Sequence, residues 1–252
     1  MLQGVISWVG GTALAALCAL PAWAAGPPQS LRDALFGDRS AGYAVPAPPV
    51  ARYRLEVGES FVLDRLGRDQ ALLKFEGGSE VWVLKGVPGA HGDMIFKNDI
   101  GEPMMRATRF GGVTLFTTNA PQGMPAALEG GAQALRAVSP IGPEALLSAL
   151  ARASVRASRS VGRGVFFDAP DVTPRSDWLF ADTAQVAAEA FARTAAAGRR
   201  ALGARFSTVR IVNGRPPAVA AQGPVIRITV DTDRGLAGRP SSRKIALALG
   251  RR

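Results

Sequence analysis

The residue types that could do chemistry in this chain are few. His91 is the only histidine, and it lies in VPGAHGD, which reads as a hairpin loop. One histidine is too few for a zinc hydrolase centre, which needs several His or Cys ligands. A Ser-His-Asp triad is arithmetically possible, but no GxSxG elbow is present. Four aspartates, Asp168, Asp171, Asp177 and Asp182, flank FFDAPDVTPRSDW. Paired carboxylates can perform acid–base work on sugars, so Asp168 and Asp171, with His91, are the candidates for catalysis. Aspartates in such loops more commonly cap helices or close turns. The glycines form neither a phosphate loop nor a dinucleotide fingerprint. Asp99 and Glu102 lack the additional alternately spaced carboxylates of a calcium loop. No metal and no cofactor is expected, and the balance leans away from an enzyme.

Cations give a stronger signal. The chain carries a formal net charge of +10. Residues 25–150 hold 12 basic and 13 acidic side chains, a net of −1, and residues 151–252 hold 18 basic and 7 acidic, a net of +11. Nearly all of the excess is arginine. Arg152, Arg156, Arg159 and Arg163 recur at helical spacing in GPEALLSALARASVRASR, beside an apolar stripe of Leu147, Leu150, Ala151 and Val155. A second cluster, RPSSRK, places Arg239, Ser241, Ser242, Arg243 and Lys244 at the start of a short helix. Hydroxyls and cations there could bind a phosphate or carboxylate, or one serine could simply cap the helix. Both clusters are candidate anion-binding residues. An uneven positive charge implies an anionic partner, although an Arg- and Ala-rich composition by itself yields the same count.

The opening residues bear on which anion. No charged side chain precedes Arg32, the apolar run ends at Pro21, and Ala22-Trp23-Ala24 has small residues at both outer positions. The pattern reads as a secretory signal over residues 1–24, cleaved after Ala24. An uncleaved anchor is the rival reading, although the run is short for a membrane span. Cys18, the only cysteine, falls inside this segment behind Leu17, which does not suit a lipoprotein signal. The mature chain would have no cysteine, so its core alone must hold it. An exported protein meets anionic membrane surface or acidic envelope polymer rather than nucleic acid, the usual partner of a basic chain, and no arginine cluster is interleaved with aromatics. A periplasmic location follows. Nothing in the sequence identifies a protein partner.

These residues need a frame to hold them. Residues 25–50 read as a flexible proline-rich segment ending in AVPAPPV. From 51 to 118, short apolar runs alternate with turn signals, as in a β-meander of about seven antiparallel strands. In IFKNDIGEPMMRATRFGG, Asn98-Asp99-Ile100-Gly101 suits a tight turn with a left-handed glycine, and Gly111-Gly112 makes the next turn. Turn geometry alone accounts for the unusual residues of the passage. Residues 120–138 are rich in Gly, Ala and Pro and give no clear element. Two helices follow, one from Pro143 and one from Asp182, the latter with Asp182 and Gln185 as a capping box and Gly198 as its stop. GVFFDA is a short buried strand, ARFSTVRIVNG and GPVIRITVD are a strand pair, and a short helix begins near Ser241. The fold class is α+β: an N-terminal meander, then two helices and a C-terminal strand pair, with 119–252 packed on 51–118, or the two forming one joint domain over 51–252.

The passages GDMIFKNDIGEPMMRATRFGGVTLFT and GRPSSRKIALALG resemble an uncharacterised family of exported Gram-negative bacterial proteins, one of the domain-of-unknown-function families. The resemblance spans most of the mature chain. It implies export and assigns no activity and no functional residue.

Three functions remain open. The first is a non-catalytic periplasmic protein whose arginine face binds an anionic envelope component. The second is an envelope hydrolase using the Asp168–Asp182 loop or His91. The third is an assembly subunit that pairs the meander's edge with a partner strand.

Overall fold

The computed structural model describes residues 48–135 and 139–250. The expected secretory signal and most of the expected proline-rich segment lie outside these residues.

Eight consecutive antiparallel strands close into a barrel: β1 (Val50–Leu55), β2 (Ser60–Arg65), β3 (Gln70–Phe75), β4 (Trp82–Pro88), β5 (Met94–Lys97), β6 (Pro103–Ala107), β7 (Val113–Thr117) and β8 (Ala120–Gly131). The alternation in VARYRL fixes the inside: Ala51, Tyr53 and Leu55 are buried, while Arg52 and Arg54 are exposed. Phe61, Leu63, Leu73, Leu84, Met105 and Leu115 complete an interior with almost no exposure. A barrel of this size has room for little more than its own side chains. Tyr53 stacks on Phe61 at 5.5 Å between ring centroids, and its hydroxyl accepts a 3.1 Å hydrogen bond from Arg65. The apolar face points inward and Arg52, Arg54 and Lys85 point out, the reverse of a barrel that faces lipid.

The expected meander is thus a closed barrel, and it runs past Thr118. The Gly/Ala/Pro-rich stretch supplies the closing strand β8, which pairs with β7 on one side and β1 on the other. Its prolines and glycines conceal it, because β8 has few apolar residues to alternate. Closure leaves β1–β8 no unpaired edge. The strand-pairing reading, which relied on a meander edge, loses that edge.

The second half is a four-stranded sheet in the order β11-β12-β10-β9, with β9 Phe166–Asp168, β10 Thr208–Asn213, β11 Ala218–Gln222 and β12 Val225–Val230. β10 runs parallel to both β9 and β12, and β11 runs antiparallel to β12. The expected strand pair is therefore a parallel pair inside a larger sheet, with β11 formed by residues read as a connection. Three α-helices belong to this part: α1 (Pro143–Val161), α2 (Asp177–Arg205) and α3 (Ser242–Gly250). Leu179, Phe180, Phe191, Phe206, Ile211, Ile226, Ile228 and Ile245 form their common core. α2 begins five residues before the expected Asp182, so no capping box forms there. Gly198 leaves helical geometry (φ −179°, ψ 62°) without ending the helix.

α1 buries Leu146, Ala153, Ala157 and Val161. That stripe is offset from the expected one: Leu147 is 67% exposed and Val155 49% exposed. Among the described residues no helix is long and apolar enough to cross a membrane.

Candidate functional site

Consecutive antiparallel strands put alternate turns at the same end of a barrel. The β3–β4 and β5–β6 turns therefore share an end, and the helical part docks there through RPSSRK. The Ser242 backbone N–H donates to one Glu80 carboxylate oxygen at 2.9 Å, and the Ser242 hydroxyl donates to the other. Ser241 repeats the pattern on Asp99, with its N–H at 2.9 Å and its hydroxyl at 2.5 Å. The Ser241 hydroxyl also accepts from the Lys244 N–H at 3.1 Å, so it caps α3. Arg243 pairs with Glu102 at 3.1 Å, and Lys244 donates to the Pro217 carbonyl at 3.3 Å.

Arg239 lies deepest. It is 5% exposed, pairs with Asp182 on α2, lies 3.6 Å from Glu80 and donates to the Val81 carbonyl at 2.8 Å. Gly238 positions it. A Cβ at Gly238 would fall 1.8 Å from the Asp231 carbonyl oxygen, so no larger residue fits there. Burial pushes the Glu80 carboxyl above its ordinary range, against the opposing pull of Arg239 and of the hydrogen bonds from Ser242. Arg239, Ser241, Ser242 and Arg243, expected as anion binders, all meet carboxylates of this same chain.

The β5–β6 turn shows how the sequence makes one half of the dock. The Asn98 side-chain oxygen accepts from the N–H groups of Ile100 (3.1 Å) and Glu102 (2.9 Å), and Gly101 has φ 84°. The tight turn is as expected. Its account is incomplete, because Asp99 and Glu102 are also partners of Ser241 and Arg243.

The expected acid–base residues are dispersed. Asp168 pairs with Arg210 at 2.9 Å, and Asp171 accepts from the Asn213 N–H at 3.2 Å. Asp177 is buried and accepts from the N–H groups of Ile141 and Gly142, anchoring the start of α1. Asp182 belongs to Arg239. His91 is exposed on the β4–β5 turn with φ 56°. No group of His, Cys, Asp and Glu among the described residues could hold a metal ion.

The α1 arginines differ. Arg152, Arg159 and Arg163 are exposed and take part in none of the ion pairs among the described residues; Arg156 pairs with Glu189. A shallow depression on α1 is lined by Ala151, Arg152, Val155, Arg156, Arg159 and Ser160. Arg199, from the far part of α2, donates to the Arg159 carbonyl at 2.9 Å and adds a cation to the same corner, next to exposed Arg200. Arg239 and Arg243 lie instead at the barrel junction, each held by carboxylates.

Neither curated proteins nor solved structures show a match to the chain. The model of a family described as a domain of unknown function (DUF4908) matches residues 30–249, and the chain belongs to that family.

Proposed function

We propose that the protein is a non-catalytic, exported, periplasmic protein that docks on an anionic membrane surface through α1. One observation carries the reading: Leu147, Ala151 and Val155 lie exposed on α1, flanked on their solvent side by Arg152 and Arg159 and followed just past the helix by Arg163, and these three arginines have no carboxylate partner among the described residues. From Leu147 to Val155 the stripe extends about 12 Å at the ~1.5 Å helical rise. That is two turns of apolar surface for the headgroup boundary, with cations placed to meet lipid phosphates. Each arginine near such a surface contributes about 1 kcal/mol at physiological salt. The compartment rests on the charge-free opening residues and the Ala22-Trp23-Ala24 site.

Co-sedimentation with vesicles tests this. Protein recovered after export binds phosphatidylglycerol-containing vesicles at low salt, releases them at high salt and ignores phosphatidylcholine vesicles. Equal binding to both lipids, or none to either, overturns the reading.

A further inference from the structure

At the docked end of the barrel, only the β3–β4 and β5–β6 turns are covered by RPSSRK. The β7–β8 turn remains open, and beside it lies a cavity of about 820 Å³. Its apolar side comes from Phe75, Trp82, Met104 and Phe116 on the barrel rim, and α2 and α3 contribute Arg193 and Arg243. We propose that this cleft binds a small amphipathic molecule with an apolar body and an anionic head, a carboxylate or a phosphate.

Four observations support it. The volume falls inside the range of about 300–1,000 Å³ usual for ligand sites, and barrel mouths and junctions are preferred places for them. The barrel below is filled, with Leu73, Leu84 and Leu115 fully buried, so a ligand has a firm floor and must stay at the rim. Phe75, Met104 and Phe116 are only partly buried, and a thioether among rings adapts to varied apolar shapes. Arg193 and Arg243 make their ion pairs at exposed or partly exposed positions, to Glu189 at 3.3 Å and Glu102 at 3.1 Å. Such pairs are weak, so an incoming anion can take over either guanidinium. Arg193 also lies 5.8 Å from the centre of the Trp82 ring, which sets a cation directly above the apolar floor. Glu59 and Glu102 line the cleft as well and oppose an anion beside them, which places the head toward the Arg193 side.

Two fluorescent probes separate the head from the body. 1-Anilinonaphthalene-8-sulfonate has an apolar ring system with an anionic head, and N-phenyl-1-naphthylamine has similar rings with no charge. Titration of the folded protein gives saturable one-to-one binding of both. Arg193→Gln with Arg243→Gln weakens the sulfonate probe by about tenfold or more, the scale of one charge-assisted hydrogen bond, and leaves the neutral probe within about twofold. Thr118→Trp, at an exposed lining position on the open turn, blocks both probes. Arg152→Gln with Arg159→Gln changes neither, which keeps this result independent of vesicle binding. Absence of saturable binding, or binding indifferent to Thr118→Trp, overturns the proposal. Equal weakening of both probes by the arginine pair overturns the anionic head.

Discussion

Asp182 on α2 and Arg239 ahead of α3 form an ion pair at the seam where the helical part meets the barrel. The guanidinium is almost wholly enclosed and also faces Glu80 and the Val81 carbonyl of the β3–β4 turn. Removing one member of a buried charge network leaves its partner uncompensated, at about 3–5 kcal/mol. Arg239→Met is expected to destabilise the protein by that amount in urea unfolding. Adding Glu80→Gln recovers part of the loss, because the carboxylate left without its cation is then neutral. A loss below about 1 kcal/mol for Arg239→Met would show that the seam does not depend on the pair.

The same network sets a pH dependence. Burial raises the Glu80 carboxyl in the folded chain above its unfolded value. The folded state therefore holds that proton more tightly than the unfolded state. Stability from this source is fully present below the unfolded value of about 4.3 and is lost as pH rises through the folded value. Glu80→Gln cannot lose a proton, so its stability relative to wild type rises with pH across that window and then levels off. Urea midpoints for both proteins from pH 4 to 8 check this. A difference that is flat, or that falls with pH, would contradict the sign.

β9 offers a third test. Its Phe166 N–H donates to Ser207 at the β10 side, while the flanking N–H groups turn the other way. Val165 donates to the Ser158 hydroxyl at 2.9 Å and Phe167 to the Ser154 hydroxyl at 3.1 Å. Two serines one helical turn apart on α1 thus satisfy an edge strand with its period of two. Ser154→Ala with Ser158→Ala strands both donors, and a stranded buried group costs about 1–3 kcal/mol. The double variant should lose about 2–6 kcal/mol by that principle and show faster hydrogen exchange at Val165 and Phe167. Ser160→Ala, whose hydroxyl only returns to the Arg156 carbonyl on the exposed side, should stay within about 0.5 kcal/mol.

The limits of sequence reading follow from these contacts. Strands β1–β7 were legible because each has apolar residues at period two and a turn signal behind it. The closing strand β8 was not, since Pro121, Gly123 and Pro125 mask any alternation and its pairing comes from two neighbours far apart in sequence. The start of α1 was legible from Pro143, but its buried face was misassigned by one residue position. At helical spacing Leu146 and Leu147 are both plausible, and only the packing against α2 and β9 chooses. RPSSRK stood out as a cluster with a plausible capping serine. Its partners could not be seen, because Asp99 and Glu102 looked like turn residues, Asp182 like a helix cap and Glu80 like the start of a strand. The opposite charge balance of the two halves was the one signal that they attract each other.

The offset on α1 also yields the most direct prediction about function. Packing buries Leu146 and leaves Leu147 exposed and Val155 half exposed, on the side of α1 that carries Arg152 and Arg159. If this face enters a headgroup layer, both parts contribute, the arginines by attraction and the apolar side chains by burial at about 25 cal/mol per Å². Val155→Asp removes apolar area and places an anion among the cations. It should abolish vesicle binding while changing unfolding stability by less than about 0.5 kcal/mol, as expected at a half-exposed position away from the core. Arg152→Gln with Arg159→Gln should weaken binding at low salt and flatten its salt dependence, and Leu147→Ser should weaken binding at every salt concentration. Variants that act alike at low and high salt would reduce the interaction to a single contribution. Intact binding in Val155→Asp would move the docking surface off α1.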